Sequence, residues 1–172
     1  MGLFNFVKNA GSKLFGNRGA PVPAADAADA PKAEAPVYTQ EQEDSMKADE
    51  LLAEISRLGF KVDSLFVAVE DDVATVSGEV DNMAEKEKVI LTAGNVEGIA
   101  AVDDQIKIEV EEPASVFHTV VGGDSLSKIS KQYYGSYNKY MVIFEANQPM
   151  LKSPDVIYPG QVLRIPAMEA DA

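Results

Sequence analysis

The spacing of apolar residues divides the chain into segments of different character. Leu3, Phe4, Val7, Ala10, Leu14 and Phe15 recur near helical spacing, with Asn5, Lys8, Asn9 and Lys13 largely opposite, which predicts a short amphipathic helix over residues 1–18. A helix this short is marginal alone in water, so its apolar face must either dock on the body of the protein or lie on a membrane surface. Residues 19–40 open with GAPVPAADAADAPKAEAPV, a stretch of Ala, Pro and acid that cannot bury enough side chain to offset its own ordering, and they form a linker.

From Gln40 to Leu58 the helical period returns, with Met46, Leu51, Leu52, Ile55 and Leu58 as the apolar stripe and Gly59 as a C-cap. The period then drops to two. Leu65, Val67 and Val69 alternate with Phe66, Ala68 and Glu70; Asp71-Asp72 turn the chain; and Val73, Thr75 and Ser77 alternate with Ala74, Val76 and Gly78, a β-hairpin. A second helix is expected from about Asn82 to Ala93, with Met83, the Lys86 stem, Val89, Ile90 and Ala93 inward, stopped by Gly94-Asn95. Ile99 to Val110 reads as a third strand.

The carboxyl-terminal part reads β-α-α-β. FHTVVGGDSLSKISKQYYG gives a strand, a Gly-Gly turn, Asp124 as N-cap and a helix carrying Leu126, Ile129 and Tyr133 on one face. A second helix runs from about Tyr137 to Ala146 with Asn147 as C-cap, and three prolines shape the turn into the closing strand QVLRIP. The fold class is therefore α+β, organised as an amino-terminal helix (1–18), a linker (19–40), an α-β-β-α-β module (41–112), a short connection (113–116), a β-α-α-β module (117–166) and a tail (167–172).

Charge and composition narrow the chemistry. Residues 21–112 carry 7 cations against 23 acids, a field that repels phosphate backbones and argues against nucleic-acid binding. Residues 113–166 carry 5 cations and 3 acids, so the acidity belongs to the middle of the protein. No apolar run approaches the roughly 20 residues that span a bilayer. The amino terminus lacks a basic segment before its apolar stretch and a small-residue cleavage site, and Phe6 stands where a myristoylation motif wants Ser or Thr, so a cytoplasmic protein is expected. One histidine and no cysteine leave little for acid-base or zinc chemistry. Gly123-Asp124-Ser125-Leu126 spells a serine-esterase motif, but an Asp-x-x-His near the carboxyl terminus is missing, so hydrolysis is set aside and Ser125 and Asp124 are read as helix-capping residues. The acid pairs Asp71-Asp72 and Asp103-Asp104 lack the alternating ligands of a calcium loop and read as solvated turns.

VEDDVATVSGEV, the helix after it and VEGIAAVDDQIKI resemble a BON domain. Gly123-Asp124-Ser125-Leu126, a mid-domain Asn147 and IYPGQVLRIP resemble a LysM glycan-binding domain. In that family a shallow groove meets the acetamido sugars of peptidoglycan or chitin, which here implies Gly123, Asp124, Ser125, Leu126, Asn147, Pro154, Asp155, Val156 and Ile157 as contacts for N-acetylglucosamine oligomers. With MGLFNFVKNAG at the start, the whole chain resembles bacterial cytoplasmic potassium-binding proteins of BON–LysM type, relative to which the Ala/Pro linker is an insertion. That resemblance implies a non-enzymatic, monomeric protein with an osmotic-stress role, whose modules change packing when potassium binds. Main-chain carbonyls can hold such an ion, and helix ends supply them. Carried over by position, the resemblance implies the carbonyls of Val7, Ala10, Ser12, Gly94, Val96 and Ile99. Ordinary helix caps at both places, glycan binding through the LysM groove and a protein–protein scaffold stand as the alternatives.

Overall fold

The computed structural model describes residues 2–6, 38–110 and 114–168. Its first element corrects the sequence expectation, because Gly2–Asn5 form a strand (β1) and not the start of a helix. The remainder of the expected amino-terminal helix, with Val7, Ala10 and Ser12, lies outside the described residues.

Thr39 opens helix α1 (Gln40–Arg57) through a capping box, its hydroxyl accepting from Gln42 N–H while the Gln42 side chain accepts from Thr39 N–H. Leu58 caps the other end, and Gly59 follows at φ 77°, the left-handed position that favours glycine. Leu51 and Ile55 are buried, but Met46 and Leu52 are 54% and 40% exposed, so the apolar stripe of α1 is narrower than its composition suggests.

Strands β2 (Asp63–Glu70) and β3 (Val73–Asn82) form the expected hairpin. Both turn residues have positive φ, 48° at Asp71 and 64° at Asp72, the geometry that matches strand twist and that Asp tolerates. Helix α2 (Met83–Gly94), capped by the Asn82 side chain, carries the chain across to β4 (Ala101–Val110), parallel to β3. Antiparallel pairing of β1 with β4 completes a four-stranded sheet in the order β1-β4-β3-β2. Ala74, Val76 and Val80 of β3 and Val102 and Ile106 of β4 alternate onto the helix-covered face and close the core with Leu51, Ile55, Val89, Ile90, Ala93, Val96 and Ile99. Asp103-Asp104 lie within β4 and not in a solvated turn. Asp104 is buried and paired with Lys86 at 2.9 Å, and Lys86 also donates to Ile106 O at 2.7 Å. A charge under the helix is tolerated because it meets both a partner and further hydrogen bonds.

The second module is smaller. Strands β5 (Val116–Thr119) and β6 (Val162–Ile165) pair antiparallel, flanking α3 (Leu126–Tyr134), a 3-10 turn (Tyr137–Lys139) and α4 (Tyr140–Ala146). Ser125, rather than Asp124, is the N-cap of α3, and Gly135 ends it in the left-handed region. Val120, Leu126, Ile129, Ile143, Phe144, Leu151, Leu163 and Ile165 form a core of its own. Among the described residues no helix is long and apolar enough to cross a membrane.

Candidate functional site

Helix α2 is buried nearly all round. Residues Val89 to Val96 are all buried, although the sheet can cover only one side of a helix. Val89, Ile90 and Ala93 face the sheet, as their period implies. Glu87, Leu91 and Asn95, spaced four apart, lie on one further face of α2 and its C-cap, and that face meets the second module. Leu91 packs with Met150 and Val162, and Phe6 and Phe117 flank the cluster. Glu87, 3% exposed, binds the Arg164 guanidinium through one carboxylate oxygen and accepts from Ser115 N–H through the other at 2.6 Å. Lys88, half-buried next to this pair, has its pKa lowered by burial and then by the Arg164 charge.

Asn95 is the C-cap of α2 and is 1% exposed. Its side-chain amide donates to Val162 O at 3.1 Å, its carbonyl accepts from Val162 N–H at 3.0 Å, and the amide also approaches Met150 Sδ at 3.4 Å. Asn147, the C-cap of α4, does the same one step along β6: it donates to Arg164 O at 2.8 Å and accepts from Arg164 N–H at 2.8 Å, while also donating to Ile143 O. Val120 N–H donates to Gln161 O, so the main-chain groups of 161, 163 and 165 point to β5 while those of 162 and 164 present the opposite edge, and two carboxamides occupy it as a neighbouring strand would.

The amino-terminal strand also crosses the boundary. Phe4 stacks at a tilt on Phe117 with ring centroids 5.2 Å apart, and Phe6 N–H donates to Ala100 O at 2.8 Å. The Phe6 ring lies directly on Gly94, where an added Cβ would sit 2.2 Å from ring carbons; only a glycine allows that approach.

Of the carbonyls expected to hold an ion, those of Gly94, Val96 and Ile99 therefore lie on the turns that follow α2, with Phe6 lying on Gly94 and Asn95 joining the segment to β6. Val96 O accepts from Ile99 N–H at 3.3 Å and retains a second lone pair. Outside α2 and the sheet, the carbonyls of Gly94 and Ile99 accept no hydrogen bond among the described residues. Clusters of three or more His, Asp or Glu side chains able to hold a metal do not occur among the described residues either. A donor set built on these three residues would consist of neutral carbonyls, a kind of ligand able to hold a weakly hydrated monovalent cation.

The residues expected to bind glycan separate into two groups. Asp124, Ser125, Leu126, Pro154, Asp155 and Ile157 line a cleft of about 350 Å³ together with Ser127 and Tyr140. Gly123 and Val156 flank it in sequence without lining it, and Asn147 is buried against β6 instead, its polar groups already spent. The Asp124 carboxylate accepts from Val121 N–H at 3.1 Å and meets His118 at 3.1 Å, and His118 reaches the Tyr133 hydroxyl at 3.1 Å through its other nitrogen. The Val121 N–H, then His118 and Lys128, hold Asp124 below the usual carboxylate pKa, with burial opposing in part. The other tyrosines of these helices divide between core and surface: Tyr134 donates to Pro166 O, while Tyr137 is exposed under Lys131.

Comparison with known proteins fits this architecture. The BON domain family matches residues 44–110 and the LysM domain family residues 118–166. The potassium binding protein Kbp of Escherichia coli O6:H1 is 45% identical over 167 residues, which span 96% of this chain and 99% of that protein. The chain belongs to the Kbp family. An uncharacterized protein of Deinococcus radiodurans is 36% identical over 100 residues, covering 52% of this chain and 39% of its own length. The match to Kbp runs through both the BON and the LysM segments of this chain.

Sequence reasoning found the turn at Gly94-Asn95 but missed the interface. The signal was present, since Glu87, Leu91 and Asn95 repeat every four residues beside the stripe that faces the sheet. A polar residue at each end disguised it as a solvated face.

Proposed function

We propose that the protein is a non-enzymatic potassium-binding protein in which the ion, held by main-chain oxygens at the end of α2, favours packing of the LysM module against the BON module. The observation that carries this reading is the sharing of one helix end: Gly94, Val96 and Ile99 offer carbonyls on the turn whose Asn95 side chain grips β6. Val7, Ala10 and Ser12 complete the proposed donor set, and Val7 follows directly on Phe6, whose ring covers Gly94. A 45% identical relative named for potassium binding supports it. The proposed setting is the cytoplasm, where potassium is the abundant cation and reports osmotic state, and the proposed working form is a monomer. Calorimetry of the full chain with potassium, sodium and chitin oligomers in parallel tests the reading; potassium heats that sodium does not reproduce are expected, and equal responses to both ions would refute it.

The LysM cleft supports a second reading. Ser125, Asp155 and Tyr140 on its walls offer hydroxyl, carboxylate and aromatic surface of the kind that meets N-acetylglucosamine oligomers. Its signature in the same experiment is binding of the chitin oligomer without dependence on potassium.

A further inference from the structure

The outer edge of β6 is closed by two asparagines that use the same chemistry from different places. Asn147 belongs to the LysM module and makes its two bonds to Arg164 whenever that module is folded. Asn95 belongs to the BON module and makes its bonds to Val162 only when the modules are docked. Its backbone sits between Gly94 and Val96, so the peptide groups that would face an ion are the ones that aim this side chain. At φ −91° and ψ 0° the Asn95 backbone is ordinary, so the identity of the side chain is not fixed by strain. Burial at 1% exposure means that opening the interface without water reaching Val162 would strand four polar groups.

We infer that Asn95 is the positioning residue that transmits ion binding to module closure: an ion fixing the carbonyls on either side of Asn95 holds its carboxamide in register with the free edge of β6, and docking of β6 holds the turn in the form that binds the ion. The inference rests on the potassium reading above. By linkage, the two halves must strengthen each other by one factor. The Glu87–Arg164 pair closes the same interface about two helical turns back along α2, without touching the turn.

A double-mutant cycle on the full chain, read as potassium affinity by calorimetry and as compactness by solution scattering, tests this. Asn95→Ala and Glu87→Gln should each weaken potassium binding, by roughly five- to tenfold at the low end of typical allosteric coupling. In the Asn95→Ala background, Glu87→Gln should change potassium affinity less than about twofold, because closure no longer reaches the turn. Scattering of Asn95→Ala should not respond to potassium. Asn95→Asp keeps the acceptor for Val162 N–H but loses the donor to Val162 O, and should fall between wild type and alanine, which a merely misfolded variant would not do. Additive losses in the cycle, or a potassium-dependent compaction that survives in Asn95→Ala, would overturn the inference while leaving potassium binding intact. A wild type that ignores potassium would instead overturn the reading beneath it, leaving the Asn95–Val162 pair a constitutive contact.

Discussion

Asn95 and Asn147 have the same side chain, the same C-cap position and the same two-bond grip on β6, yet one holds a module together and the other holds two modules to each other. The difference lies in what surrounds them. Asn147 has a third bond, to Ile143 O in its own helix, and its target belongs to the same small core. Asn95 leans on Met150 and Val162 from across the boundary, beside the ion pair of Glu87 with Arg164. A contact within a module is always formed in the folded state, whereas a contact between modules can be biased by a ligand with different affinity for the two arrangements.

That contrast can be broken deliberately. Asn147→Ala strips partners from Arg164 N–H, Arg164 O and Ile143 O and should cost about 3 kcal/mol of LysM stability. Five of the six tyrosines lie at positions 133–158, so urea unfolding followed by tyrosine fluorescence reads that loss directly. Asn95→Ala should leave the same transition nearly in place. Gly94→Ala comes next, at about 1–3 kcal/mol for overpacking, because the new methyl must displace the Phe6 ring. Faster hydrogen exchange at the Phe6 amide, now bonded to Ala100 O, is the specific sign. A smaller effect is expected at Asp124, whose pKa is depressed below its ordinary 3.8. A depressed carboxyl stabilises the fold above its unfolded pKa and loses that contribution as pH falls through the folded value. Asp124→Asn should therefore be less stable than wild type at neutral pH, with the two converging under acid once pH drops below the carboxylate range. Leu52→Ala sharpens the contrast from the other end: its side chain is largely outside the core, so the change should stay within about 0.5 kcal/mol.

Much of the fold was legible in the sequence. The period-two hairpin with its Asp71-Asp72 turn, both BON helices and the LysM order of elements follow from patterns that concern neighbours in the chain. The failures concern partners far away. A run such as Leu3-Phe4-Asn5-Phe6 fits a helix or a strand equally, and β4, about a hundred residues on, decides for the strand. Asp104 looked solvated because its partner Lys86 lies on another element. Asn147 reads correctly as the C-cap of α4, but its place in a motif also suggests a glycan contact, whereas its amide serves β6. Half of the proposed donor set was visible as a helix stop, because Gly94-Asn95 interrupts an apolar run. Its link to the second module was hidden, since neither Glu87 nor Asn95 announces by residue type that it is buried.

Amide spectra of the full chain recorded through a potassium titration, with sodium as control, show whether one ion couples the turn after α2 to β6. Potassium alone should shift Gly94 to Ile99 together with Val162 and Arg164 of β6, at one common midpoint. Shifts confined to the turn, an equal response to sodium, or no response at all would contradict it.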